Sequence, residues 1–270
     1  MGGIGRTGAR RRSLLVGLLM LLAIGAAAPA ALATPACPPP TGQEATTRPE
    51  VRRGHEVRFR QRLDALSESL RRERYDVIML GDSLVQFWPE AWAARAFPGQ
   101  RVLNAGVAGD GAAALLHRLD SRRTEATIDG RRVSLGVSGW ERQSPGTVMI
   151  LLGTNDLRRG SPCDVVAGLR AVTERVRRIW PRAEILLLSL LPRGQDQREL
   201  AAEIAAINGV LAAGAGQGPA RYRFVDVHAA LLCREPGCQL RRPPNYVHLT
   251  EEGYSRLVTA LTANLRTAPR

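Results

Sequence analysis

Two hydrophobic patterns alternate along the chain. Short, continuous apolar runs at 77–80, 102–103, 148–152 and 185–191, and at Phe224, Val225 and Val227, have the length and composition of strands buried on both faces. Helical spacing appears around them. It links Phe59, Leu63, Leu66 and Leu70, then Val165, Val166, Leu169, Val172, Val176 and Ile179. Leu200, Ile204, Ile207 and Leu211 form a third apolar face, and Leu257, Val258, Leu261 and Leu265 a fourth. Buried strands alternating with amphipathic helices predict an α/β layered fold around a parallel sheet. No internal repeat is present, and one domain over residues 50–268 fits the 270-residue length.

The alternation breaks over 120–146. Thr127-Ile128-Asp129-Gly130-Arg131 carries the Asp-Gly signal of a tight turn, and Val133, Leu135 and Val137 alternate. A β-hairpin insertion at the domain edge is expected. Two roles stay open for this segment: a surface excursion, or a wall of a substrate cleft to which Trp140 contributes.

The N-terminus has a different pattern. Arg6, Arg10, Arg11 and Arg12 precede an apolar run over 14–28, and Ala31-Leu32-Ala33 supplies small residues at the cleavage spacing. Residues 1–33 therefore read as a secretory signal peptide. The apolar run is short of the roughly 20 residues a spanning helix needs, although an uncleaved anchor stays open. Arg11-Arg12-Ser13-Leu14-Leu15 also permits twin-arginine export. Residues 34–49, with five prolines, read as an extended linker.

Charge gains its meaning from this division. The formal charge is +13, and no lysine is present. The leader holds four arginines and no acid, which leaves +9 on the rest. Pairs such as Arg52-Arg53, Arg71-Arg72, Arg122-Arg123 and Arg241-Arg242 are dispersed, and no basic run is interleaved with aromatics, so nucleic acid is not an expected partner. Solvated surface is the simple reading of these pairs. Peripheral attraction to anionic envelope polymers or lipid headgroups is the alternative.

Four cysteines in an exported chain suggest disulfides. Cys233 and Cys238 flank the turn-forming Arg-Glu-Pro-Gly and are the expected pair. Cys37 with Cys163 follows by elimination, the connectivity staying open. No Cys/His spacing resembles a zinc site.

Candidate chemistry lies in four loops. Gly81-Asp82-Ser83-Leu84 follows the first apolar run, which places a hydroxyl at the carboxyl edge of a strand and at a helix start. Asp82 or Ser83 could equally be a helix cap. The second run leads into Asn104-Ala105-Gly106-Val107-Ala108-Gly109-Asp110-Gly111, the third into Gly153-Thr154-Asn155-Asp156, and His248-Leu249-Thr250 precedes the last helix. Each alone reads as an ordinary loop or cap.

In this order the four blocks resemble the SGNH hydrolases, the GDSL-type esterase and lipase superfamily. Phe87-Trp88-Pro89, Phe224-Val225-Asp226-Val227 and Gly253-Tyr254 agree in context. The resemblance extends over residues 75–265 and is nearest to the secreted bacterial branch similar to platelet-activating-factor acetylhydrolase catalytic subunits. It implies a flavodoxin-like, three-layer α/β/α sandwich with five parallel strands. It also implies Ser83 as nucleophile, His248 as general base, and an oxyanion hole of the Ser83 N–H, the Gly109 N–H and the Asn155 amide, with no metal or organic cofactor.

One position departs from the pattern. Three residues before the histidine the family carries Asp, and this chain has Asn245. An amide cannot supply the charge that stabilises an imidazolium, and the equivalent change in a serine protease triad costs about 10⁴ in kcat. Asn245 could present its carbonyl oxygen to the imidazole. Another acceptor, a backbone carbonyl or Asp226, could substitute. Alternatively, the protein could be a weakly active relative. The sequence thus predicts a secreted serine esterase acting on a small-molecule, lipid or glycan acyl ester. A binding module for acylated glycans or lipids, and an O-acyltransferase, stand as alternatives, and the oligomeric state is open.

Overall fold

The computed structural model describes residues 2, 3, 37, 56–120, 125–128, 131–134, 136–235 and 237–267. The chain divides into Met1–Ala33 and Thr34–Arg270, and every helix and strand below lies in the second unit. Apart from Gly2, Gly3 and Cys37, the expected signal peptide and proline-rich linker fall outside the described residues.

Helix α1 (Glu56–Arg72) leads into strand β1 (Val77–Gly81), followed by the short α2 (Ser83–Gln86) and α3 (Glu90–Ala96). Strand β2 (Val102–Gly106), helix α4 (Ala112–Leu119) and the pair β3 (Glu125–Ile128) and β4 (Arg131–Ser134) come next. The remaining elements are β5 (Thr147–Leu151), α5 (Pro162–Ile179), β6 (Glu184–Leu188), α6 (Ala201–Ala213), β7 (Arg223–Val225) and α7 (Glu251–Arg266).

Five strands form one parallel sheet in the order β2-β1-β5-β6-β7. With the hairpin set aside, this is the flavodoxin-like order. Alternation within β1 divides the core. Ile78 and Leu80 pack with the apolar faces of α1, α4, α5 and α6, while Val77 and Met79 pack with α2, α3 and α7. Two helical layers around a parallel sheet are what the apolar runs predict.

The expected hairpin is present as antiparallel β3 and β4, with Ile128 opposite Arg131; the turn residues Asp129 and Gly130 lie outside the described residues. Trp140 does not wall a cleft. It is buried in the core, donates from Nε1 to the Arg118 carbonyl at 2.8 Å, and meets the Trp180 ring edge-on. Trp88 is likewise buried, and Trp92 stacks under Arg95.

Arg241 also departs from the surface reading. It is buried, with Nε donating to the Pro192 carbonyl at 2.6 Å and Nη2 to the Leu231 carbonyl at 2.8 Å. Arg71 and Arg72 do lie on the surface, paired with Glu68. The apolar run 185–191 exceeds its strand. After Leu188 the chain leaves the sheet, yet Leu190 and Leu191 stay buried in the connection.

Both expected disulfides form. Cys37–Cys163 brings Cα atoms to 5.2 Å across 126 residues, and Cys233–Cys238 closes the loop before α7. Among the described residues, no helix is long and apolar enough to cross a membrane.

Candidate active site

β1 ends at a glycine because nothing larger fits. A Cβ on Gly81 would lie 2.2 Å from the Leu151 carbonyl oxygen and 2.4 Å from Val85 Cγ2. This close approach lets the chain turn at once into α2. Asp82 caps that helix by accepting from the Leu84 N–H at 2.8 Å, so the sequence's two cap candidates resolve in favour of Asp82. Ser83 becomes the first helical residue, almost wholly buried at the carboxyl edge of the sheet.

The β2 loop is built around Asn104. Its Nδ2 donates to the Val85 carbonyl at 2.6 Å and its Oδ1 accepts from the Gly106 N–H at 3.1 Å, which fastens the loop to α2. Arg62 on α1 closes the outside, donating to the Asn104 carbonyl at 2.7 Å and the Gly106 carbonyl at 3.0 Å. Gly109 follows at φ 88°, a conformation only glycine adopts without strain. Its neighbour Asp110 is buried in an ion pair with Arg118.

Asn155 lies beyond β5 and donates from Nδ2 to the Asp110 carbonyl at 2.8 Å. A carboxamide has two N–H donors, so this bond orients the group and uses only one of them. Asp156 joins the same two loops, its carboxylate accepting from the Ala112 N–H at the start of α4. Burial raises the Asp156 carboxyl above its ordinary range, opposed by that N–H. Burial also pushes Asp82 up to about 7, with the negative charges of Asp110 and Asp156 acting in the same direction and the Leu84 N–H opposing. Asp82 Oδ2 is buried without a hydrogen-bond partner.

His248 arrives from the other side. Leu249 bridges antiparallel to Arg241, the Arg242 N–H donates to the His248 carbonyl at 2.8 Å, and Thr250 caps α7. Tyr254 on α7 donates its hydroxyl to the Leu84 carbonyl at 2.8 Å, which ties the helix that follows His248 to the one that begins at Ser83. His248 Nε2 lies 2.9 Å from Ser83 Oγ, the distance at which a hydroxyl donates to an unprotonated ring nitrogen. The Phe87 ring stands edge-on against the imidazole, with centroids 5.5 Å apart.

Ser83, Gly109, Asn155 and His248 line one cavity of about 940 Å³, large enough for a small ester. Asn245 lines it too. Its Oδ1 accepts from the Val247 N–H at 3.2 Å, so the amide braces the turn that carries the histidine. Asp226 instead accepts from the His228 N–H at 2.9 Å, and it is not a lining residue. Several supporting groups escaped sequence reasoning: Arg62, the Asp110–Arg118 pair and the Tyr254 hydroxyl. Tyr254 and Asp110 did carry a signal, their places in the Gly253-Tyr254 and Asn104–Gly111 blocks, whereas Arg62 and Arg118 carried none.

The chain is similar to known proteins in both sequence and fold. Platelet-activating factor acetylhydrolase IB subunit alpha1 of Homo sapiens is 28% identical over 189 residues, 69% of this chain and 73% of the human protein. The alpha2 subunit of Rattus norvegicus is 25% identical over 188 residues, covering 69% and 74%. Among solved structures, a Streptococcus pneumonia protein named for platelet activating factor superposes with a TM-score of 0.59 at 20% identity, covering 78% of this chain and 94% of that one. A variant of an acetyl-xylooligosaccharide esterase from Geobacillus stearothermophilus superposes with a TM-score of 0.52 at 16% identity, covering 73% and 95%. The sequence model of the GDSL-like lipase/acylhydrolase family matches residues 79–256, a span that holds Ser83, Gly109, Asn155 and His248, and the chain belongs to that family.

Proposed function

We propose that this protein is an exported serine esterase that hydrolyses short acyl or acetyl esters. The observation that carries the reading is the 2.9 Å approach of His248 Nε2 to Ser83 Oγ inside a cavity that Gly109 and Asn155 also line. Ser83 Oγ attacks the ester carbonyl carbon as its proton passes to His248 Nε2. The Ser83 N–H, the Gly109 N–H and the second N–H of Asn155 receive the oxyanion, each worth about 3 kcal/mol by analogy with other oxyanion holes. Collapse breaks the bond to the alcohol, which leaves with the proton from His248. Water then attacks the acyl-serine, gives its proton to the imidazole, and releases the acid and free Ser83.

Asn245 contributes as a positioning residue in this scheme, since its oxygen holds the Val247 N–H one residue before His248. The N-terminal pattern and the two disulfides support export. A second reading, a slow or non-catalytic module that binds acylated glycans or lipids, draws on the missing carboxylate at 245.

Hydrolysis of a p-nitrophenyl acyl series separates the two readings. Turnover should be measurable with short chains and vanish in Ser83→Ala. Equal residual rates in wild type and Ser83→Ala would leave only the binding reading.

A further inference from the structure

The charge around the cavity is one-sided. Among the described residues four arginines line it, Arg58, Arg62, Arg158 and Arg193, against a single carboxylate, Glu199. Arg193 is buried and neutralised by Glu199, with Nη2 2.9 Å from Oε1. Arg62 spends its donors on the neutral Asn104 side chain and the carbonyls of Asn104 and Gly106, so its charge stays uncompensated. Arg58 and Arg158 are exposed, and neither forms an ion pair among the described residues.

The placement adds direction. Arg58 and Arg62 are four residues apart on α1, stacked on one helix face, where two like charges repel. Arg158 ends the turn Asp156–Arg158 that starts one residue after Asn155. Arg62 holds Gly106, three residues before Gly109. All three uncompensated cations thus belong to the wall that carries Gly109 and Asn155. The lining around His248 offers Phe87, Pro244, Asn245, Tyr246 and Val247, none of them charged. With Arg193 neutralised by Glu199, the uncompensated arginine charge lies on the Gly109 and Asn155 side, and such a cavity orients a ligand that is anionic at one end.

We infer that the cavity selects esters bearing an anionic group, which Arg58 and Arg158 receive on the Asn155 side of Ser83. The inference rests on the serine-esterase reading and names its substrate class. Guanidinium groups bind carboxylate and phosphate through paired N–H donors, and rim charges also steer an anion inward.

Two anionic esters locate the charge: 4-acetoxybenzoate carries it on the leaving group and mono-4-nitrophenyl succinate on the acyl group. Their neutral counterparts are 4-acetoxybenzamide and 4-nitrophenyl butyrate. At low salt the kcat/KM ratio of anionic to neutral ester should exceed about 10 for one of the pairs. It should fall roughly tenfold in the double variant Arg58→Gln/Arg158→Gln, mainly through KM, and also in wild type as salt screens the contact. Arg60→Gln, which removes an exposed charge of the same helix outside the cavity, should leave the ratio unchanged. A wild-type ratio near 1 for both pairs, or a ratio that Arg60→Gln lowers equally, overturns the inference while the esterase reading stands. If no ester is turned over, calorimetric binding of 4-acetoxybenzoate decides. A Kd weakened about tenfold in the double variant supports anion selection alone, whereas no binding, or equal binding by both proteins, overturns it.

Discussion

On the serine side of the cavity there is no room to spare. A Cβ on Gly81, Gly106 or Gly111 would meet another atom at 2.2 to 2.3 Å, and Asp82, Ser83 and Asp110 are all buried. On the histidine side, Pro243, Pro244 and Asn245 are exposed, and the segment is held chiefly by backbone hydrogen bonds to Arg242 and Leu240. A substitution among the glycines displaces Ser83, while one at 245 meets no close packing and alters only the bond to the Val247 N–H and what faces solvent and cavity. The contrast explains how the family's aspartate could give way to Asn245 while the serine and oxyanion loops keep their pattern. Close packing constrains the serine wall, whereas position 245 is left open to exchange between polar side chains.

The serine wall should therefore show the largest responses. In the proposed mechanism Asn155→Ala removes an oxyanion donor, one whose carboxamide the Asp110 carbonyl orients, and kcat should fall by about 10²- to 10³-fold with little change in KM. A loss confined to KM would instead make Asn155 a ground-state binding group.

The histidine wall should tolerate change and reward one. Asn245→Asp keeps an acceptor for the Val247 N–H and adds a negative charge near the imidazole, so kcat should rise roughly tenfold. An unchanged kcat places the orienting partner of His248 elsewhere.

A smaller effect concerns Asp82. Its folded carboxyl, at about 7, lies above its ordinary value of 3.8, so the folded protein holds this proton more tightly than the unfolded chain does. The contribution is fully present below pH 3.8 and is lost as pH rises to about 7. Asp82→Asn keeps the acceptor for Leu84 and imitates the protonated group. In thermal melts across this interval the wild type should lose Tm relative to the variant as pH rises. Parallel Tm curves would contradict this origin.

Much of the fold was legible because strands buried on both faces must be apolar throughout, as the 77–80 and 148–152 runs are. The Asp-Gly turn marked the hairpin for a similarly local reason. Ser83, His248 and Asn155 were legible as an ordered set, each at the end of a strand or before a helix. What escaped reading depends on partners that only the folded chain brings together. Arg118 is buried because the Asp110 carboxylate awaits it, and Arg241 because the Pro192 and Leu231 carbonyls do. Trp140 has no sequence feature that separates a cleft wall from a core residue. Its indole finds the Arg118 carbonyl 22 positions away. Arg62 sits on the polar face of α1, and its contacts with the β2 loop follow from how two layers meet.

The account turns on Ser83 as a nucleophile activated by His248. Incubation with a fluorophosphonate ester followed by peptide mass spectrometry tests that most directly, because labelling needs an activated serine and no knowledge of the natural ester. The adduct should appear on the peptide containing Ser83, be absent in Ser83→Ala, and form at least 10²-fold more slowly in His248→Ala, roughly the scale of general-base catalysis. Labelling of another residue, or an equal rate without the imidazole, would contradict the account.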